Sequence, residues 1–142
     1  MKKIYFVLFS LLLLAGYTAQ GQCTNTSAFG SAVAPTGATP VTISTCSFQS
    51  EYSTITSVIA GNRYVVTASI AGTFITMRYN TSSGTAVAAG VSPLQFTAPC
   101  SGTYFAHWNT NSSCGTASTC MTTTIACSSC GAAASQCTNT SA

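Results

Sequence analysis

The chain has 142 residues, a formal net charge of +3 and charged side chains at only 4% of its positions, while hydrophobic residues supply 46%. So few charges exclude a basic surface for phosphates, and with it nucleic acid as a partner; they also exclude solubility through charge repulsion. The length allows one modest core, hence one globular domain.

The first element in chain order is a targeting segment. "MKK" is a basic start, "IYFVLFSLLLLAG" an apolar run, and "TAQGQ" a polar exit with small residues at Ala19 and Gly21. This pattern predicts a secretory signal-peptide helix over residues 1–21, cleaved to leave Gln22 first. The run is short for a membrane span and no stop-transfer charge follows, so no membrane insertion is expected after cleavage. A lipid anchor on Cys23 is the minor alternative, disfavoured because Gln22 precedes it. Loss of Lys2 and Lys3 lowers the formal charge from +3 to +1. Besides cysteine, Glu51, Arg63, Arg78 and His107 are then the charged or readily titrating side chains. Ser and Thr make up 42 of the 121 residues after Gly21, so hydroxyls must hydrate the surface.

"QCTNTSA" occurs at Gln22–Ala28 and again at Gln136–Ala142. The repeat predicts a module over 22–130, a small-residue linker over 131–135, and the start of a second, truncated copy at 136–142. Neighbouring repeats of the same chain are therefore expected partners.

Within the module every periodic segment reads as strand. "VTISTC" alternates, "STITSVIAGN" runs into a turn at Ala60-Gly61-Asn62, and "RYVVTASI" turns at Ala71-Gly72 into "TFITMRY". After the "NTSSG" turn come "TAVAAG", "SPLQFTAP", "SGTYFAHWN" and "CMTTTIAC". Strands at this spacing predict an all-β fold, an antiparallel β-sandwich of Ig-like or jelly-roll type stapled by disulfides. No sustained helical stripe interrupts them. In "GTYFAHW" the period of two puts Tyr104, Ala106 and Trp108 on one face and Thr103, Phe105 and His107 on the other. Trp108, the single tryptophan, is expected to anchor the core.

The eight cysteines all follow Gly21, which in an exported chain argues for disulfides. A nested scheme pairs Cys114 with Cys120 and Cys100 with Cys127 as staples of one hairpin, with Cys23 joined to Cys46. Cys130 is left over, and Cys137, the counterpart of Cys23, is expected to pair within its own copy. Spacing alone does not fix connectivity. A zinc site from Cys114, Cys120, Cys127 and Cys130 is a remote alternative, since the spacing lacks paired knuckles.

The inventory for catalysis is thin. Glycoside hydrolysis needs two carboxylates and the module has Glu51 alone; no Gly-x-Ser-x-Gly elbow occurs, and Ser-x-x-Lys is impossible without lysine. No enzyme, no cofactor and no metal are expected. Arg78, Tyr79, His107 and Trp108 would form an aromatic and cationic patch for a glycan if their strands were neighbours.

The segments "FGSAVAPTGATPVTISTCSFQSEYSTI", "AGNRYVV", "FITMRY" and "SPLQFTAPCSGTYFAHWNTNSSCGTASTCMTTTIACSSC" carry a resemblance over essentially all of 22–130. They resemble a repeat of large secreted surface proteins of the Bacteroidetes, found beside fibronectin type III or Ig-like modules in proteins that often end in a type IX secretion sorting domain. The middle also looks like jelly-roll modules appended to secreted bacterial peptidases, through "AGNRYVVTAS" and "SPLQFTAPCSGTYF". Where related repeats often carry an acidic residue, this chain has Gly72-Thr73, which weakens any ligand site there. The resemblance implies a secreted or cell-surface spacer or adhesion module without catalytic residues. The alternative is an accessory module of a secreted enzyme that binds carbohydrate or protein.

Overall fold

The computed structural model describes residues 22–131 and Cys137. The expected signal peptide, nearly all of the linker and the second heptad apart from Cys137 lie outside the described residues. Nine strands follow one another in the described part: β1 (Ser27–Val33), β2 (Val41–Gln49), β3 (Glu51–Val58), β4 (Arg63–Ala68), β5 (Phe74–Tyr79), β6 (Ala86–Val91), β7 (Leu94–Thr97), β8 (Gly102–Asn109) and β9 (Ala117–Ser129). They form a five-stranded sheet, β1-β3-β8-β5-β6, packed on a four-stranded sheet, β2-β9-β4-β7. The result is an all-β sandwich, in which every strand connection except β5–β6 passes from one sheet to the other.

One pairing departs from the antiparallel expectation: β1 runs parallel to β3. The segment between β1 and β3 includes β2, which lies in the opposite sheet, so β1 and β3 are not joined by a tight turn. Gly30 makes the close passage of β1 over β2 possible. Its φ is +79°, and a Cβ built there would lie 2.8 Å from Ser44 Cβ, nearer than real side-chain carbons approach.

Burial separates the two sheets. In three strands of the four-stranded sheet the period of two is clean: Tyr64, Val66 and Ala68 of β4, Leu94 and Phe96 of β7, and Met121, Thr123, Ile125 and Cys127 of β9 point inward, whereas β2 breaks it with Ile43 and Ser44 both buried at a register shift. The alternate positions are solvated, as expected for a sheet with one wet face. In the five-stranded sheet β5 is buried at every position from Phe74 to Arg78. Something therefore covers its outer face as well.

Trp108, Tyr64, Tyr104, Ile55, Ile75 and Met77 are the bulk of the fully enclosed core. The face assignment for β8 holds: Tyr104, Ala106 and Trp108 are inside. The polar edge of the Trp108 ring is satisfied by a relay. Its Nε1–H donates to Ser53 Oγ at 3.0 Å, and Ser53 Oγ–H donates to the Phe29 carbonyl at 2.7 Å. One hydroxyl thus links β8, β3 and β1 across the sheet. The buried Tyr104 hydroxyl donates to the Cys100 carbonyl at 2.7 Å; burial, set against that bond, pushes its pKa up to about 12, so it stays protonated.

Among the described residues the eight cysteines form four disulfides and none is free. The pairs are Cys23–Cys114, Cys46–Cys120, Cys100–Cys137 and Cys127–Cys130. Cross-linking of this density belongs to an oxidising compartment and points to an exported protein. None of the three expected pairs forms, and the reason is topological. β8 and β9 lie in different sheets, so they are not the two arms of a hairpin. Cys114, at the end of β8, stays with the five-stranded sheet, while Cys120 on β9 faces Cys46 on neighbouring β2, with Cα atoms 4.3 Å apart. Cys127 on β9 and Cys46 on β2 belong to the four-stranded sheet, whereas Cys100 stands in the β7–β8 loop and Cys23 in the segment before β1. The odd residue is also different. Six cysteines close within 22–130, Cys127 takes Cys130, and Cys100 is left to pair with Cys137, which was expected to pair within its own copy. The zinc alternative fails, because its four sulfurs belong to three different disulfides.

Two measurements check this description. Truncation of Trp108 to Ala should cost about 3–5 kcal/mol in denaturant unfolding, and Ser53→Ala about 1–3 kcal/mol, because it strands the buried indole N–H. Non-reducing peptide mapping should recover the Cys23–Cys114 and Cys46–Cys120 peptides; a Cys114–Cys120 peptide would contradict the sheet assignment of β9.

Candidate functional site

Two places collect the polar and aromatic side chains of the module. The first is the outer face of the five-stranded sheet, where Gln22–Thr26 lies as a strap. Cys23 N–H donates to Thr76 Oγ1 at 3.1 Å, and Asn25 N–H donates to His107 Nδ1 at 2.9 Å. The Asn25 amide donates to the carbonyls of Glu51 at 2.7 Å and Trp108 at 2.9 Å. Arg78 grips the strap from below. Its Nε–H donates to the Cys23 carbonyl at 3.2 Å and Nη2 reaches the Gln22 carbonyl at 3.5 Å, while Nη1 donates to Gly84 in the β5–β6 loop at 2.6 Å. The Cys23–Cys114 bond then ties the strap to the end of β8. This is the cover that buries both faces of β5.

The antiparallel register of β5 and β8 sets Thr76 opposite His107 and Ile75 opposite Trp108. The four residues of the expected patch therefore divide. Arg78 and His107 share the outer face beneath the strap, at 9% and 0% exposure. Trp108 and Tyr79 turn to the other side, Trp108 into the closed core and Tyr79 against Tyr104 with ring centroids 5.2 Å apart. No exposed four-residue patch exists, because neighbouring positions on a strand point to opposite faces.

His107 is held neutral. Burial is the main cause and the Arg78 charge the second; together they lower its pKa from 6.5 to about 4, and the backbone of Ser82 opposes this in part without completing a hydrogen bond. Because Nδ1 accepts from Asn25, the proton belongs on Nε2, which is buried and has no hydrogen-bond partner among the described residues. The ring packs on Tyr52, centroids 5.2 Å apart. A neutral imidazole with one nitrogen occupied by a backbone amide and the other enclosed has no route to a substrate. Glu51, the lone carboxylate of the described residues, accepts from Phe48 N–H at 2.8 Å.

The second place is an open cleft of about 530 Å³ where the β5–β6 loop meets the β7–β8 loop. Tyr79, Asn80, Thr81, Thr85 and Pro99 line it, with Cys100 and Cys137 at one side. Its volume falls within the range of small-molecule sites. Sequence reasoning named Tyr79 for another reason and missed the rest. The "NTSSGT" run reads as a turn, and nothing in it signals that the turn stands beside Pro99.

No family model and no curated protein matches this chain. A solved structure, the periplasmic inhibitor of g-type lysozyme (PliG) from Aeromonas hydrophila, is similar over 71% of this chain and 97% of that one, at 12% identity and a TM-score of 0.49. A likeness of that extent transfers neither fold nor function.

The His107 geometry gives a signed pH dependence. The folded-state pKa lies below the ordinary value of 6.5, so the unfolded chain binds the proton first as pH falls. The contribution of neutral His107 is complete above pH 6.5 and is lost as the pH falls toward 4. Unfolding free energy measured across this window should drop for the native chain. His107→Gln should flatten the slope at a lower overall stability.

Proposed function

We propose that the module is a non-catalytic structural unit of an exported surface protein, a spacer or adhesion repeat in a string of similar units. The observation that carries this reading is the use already made of three of the four charged or readily titrating side chains, Arg63 being exposed. Arg78 holds backbone carbonyls, His107 is neutral under the strap, and the Glu51 carboxylate turns the chain at Ser50. Each secures a crossing or a corner of the fold, and none faces a cavity with a partner suited to acid–base work. Supporting it, the outer face of β9 carries exposed hydroxyls at Ser118 and Thr122, and disulfides fix both the strap and the β2–β9 pair.

One observation favours the alternative of a glycan-binding accessory module. The Tyr79 cleft combines an aromatic ring with the amide of Asn80 and the hydroxyls of Thr81 and Thr85, the mixture that recognises a sugar. Trp108, being enclosed, is not the residue to test. The deciding experiment applies the purified chain to a glycan array and to glycoside, ester and peptide substrates. The spacer role expects no turnover and no saturable binding. Binding that is lost in Thr81→Ala/Thr85→Ala, with the fold intact, would replace it with the alternative; turnover of any substrate would end both.

A further inference from the structure

The strap contacts on the five-stranded sheet are made by Gln22, Cys23 and Asn25. The same four letters, Gln-Cys-Thr-Asn, stand at Gln136–Asn139. Most of what the sheet reads is backbone: two strap N–H groups and two strap carbonyls. The remainder is the Asn25 amide and the cysteine that reaches Cys114. Every one of these groups is duplicated at 136–139, so the Thr76, Arg78, His107 and Cys114 receptor has no means of telling the two heptads apart.

We propose that this strap site is a docking site for the sequence Gln-Cys-Thr-Asn, and that its second occupant is Gln136–Asn139 of another copy of the chain. A second copy is favoured over the same chain because Cys137 is tethered beside Pro99 through Cys100, at the Tyr79 cleft, whereas Cys114 lies beyond the opposite end of β8, past Asn109. An exchange of this kind is heterologous: each copy gives its second heptad and receives another, so the contact propagates head to tail instead of closing on itself. The docking rests on strap geometry alone. Should the spacer role fail, the site remains; should the site fail, the spacer role remains.

The covalent step balances without an oxidant. With Cys23 removed, the exposed Cys114 thiolate of one copy attacks Cys137 Sγ in the Cys100–Cys137 disulfide of another. A Cys114–Cys137 bond forms, the old S–S bond breaks, and Cys100 leaves as the thiolate.

The test uses the full chain carrying Cys23→Ser and Asn25→Ala, exported, and examined by non-reducing electrophoresis and peptide mapping. The expected result is a Cys114–Cys137 peptide within dimers and longer ladders that collapse on reduction. A monomer with Cys114 free and Cys100–Cys137 intact overturns the proposal. A Cys114–Cys137 bond confined to monomers overturns the second copy as occupant. Recognition is separated from thiol reactivity by adding Asn139→Ala, which removes the amide that would take the place of Asn25. The linked fraction should fall about tenfold with the loss of these hydrogen bonds, and an unchanged fraction overturns the proposal. If the double variant does not fold, Cys23→Ser alone, checked by the shielded fluorescence of Trp108, is read by the same outcomes.

Discussion

The contact on which the rest of this molecule depends is that of Asn25 with β8 and β3. A five-residue segment with no strand partner of its own must stay on a sheet, and the Asn25 amide achieves this by bridging two carbonyls of neighbouring strands while its own N–H meets His107. Once the segment is held there, the outer face of β5 and the His107 end of β8 are covered, while Thr103 and Phe105 of β8 stay half-buried. That closure is what allows Thr76, Arg78 and His107 to be buried on a face that would otherwise be wet. Thr76 and Arg78 are satisfied by strap groups and His107 at Nδ1, as most buried polar groups must be, while His107 Nε2 stays without a partner among the described residues. The neutrality of His107 and the placement of Arg78 follow from the cover, not from any property of β5 or β8 taken alone.

The fold class was legible because it is carried by local pattern. Segments such as "RYVVTASI" read as strands, alternation in "GTYFAHW" identifies the inward face of its strand, and a lone tryptophan marks the core. Which strands are neighbours is a long-range property, and adjacency in sequence misleads when almost every connection changes sheet. The cysteine pairing failed for this one reason. Cys114 and Cys120 are six positions apart along the chain, yet they serve opposite layers of the sandwich.

The site was legible in part. The residue types were right: Arg78 and His107 do meet across β5 and β8. Their face was taken as open, since strands alone give no hint that residues preceding β1 fold back over them. The heptad that occurs twice draws attention to this segment, but it has no periodicity from which a contact with the sheet could be read. Tyr79 belongs to the cleft through its position at the end of β5, where a strand gives way to a loop, and no single-strand pattern brings Pro99 to it.

The disulfide map also sets how this body responds to pulling. A force applied at Cys23 and Cys137 passes through Cys114 and returns along the backbone to Cys100 before it leaves. If every non-covalent contact gave way, the slack released would be the stretch between Cys100 and Cys114, about 50 Å at full extension. The long remainder of the polypeptide lies off the line of tension. Such a unit yields briefly and then behaves as a taut cord, so a filament made of it would keep its length under shear.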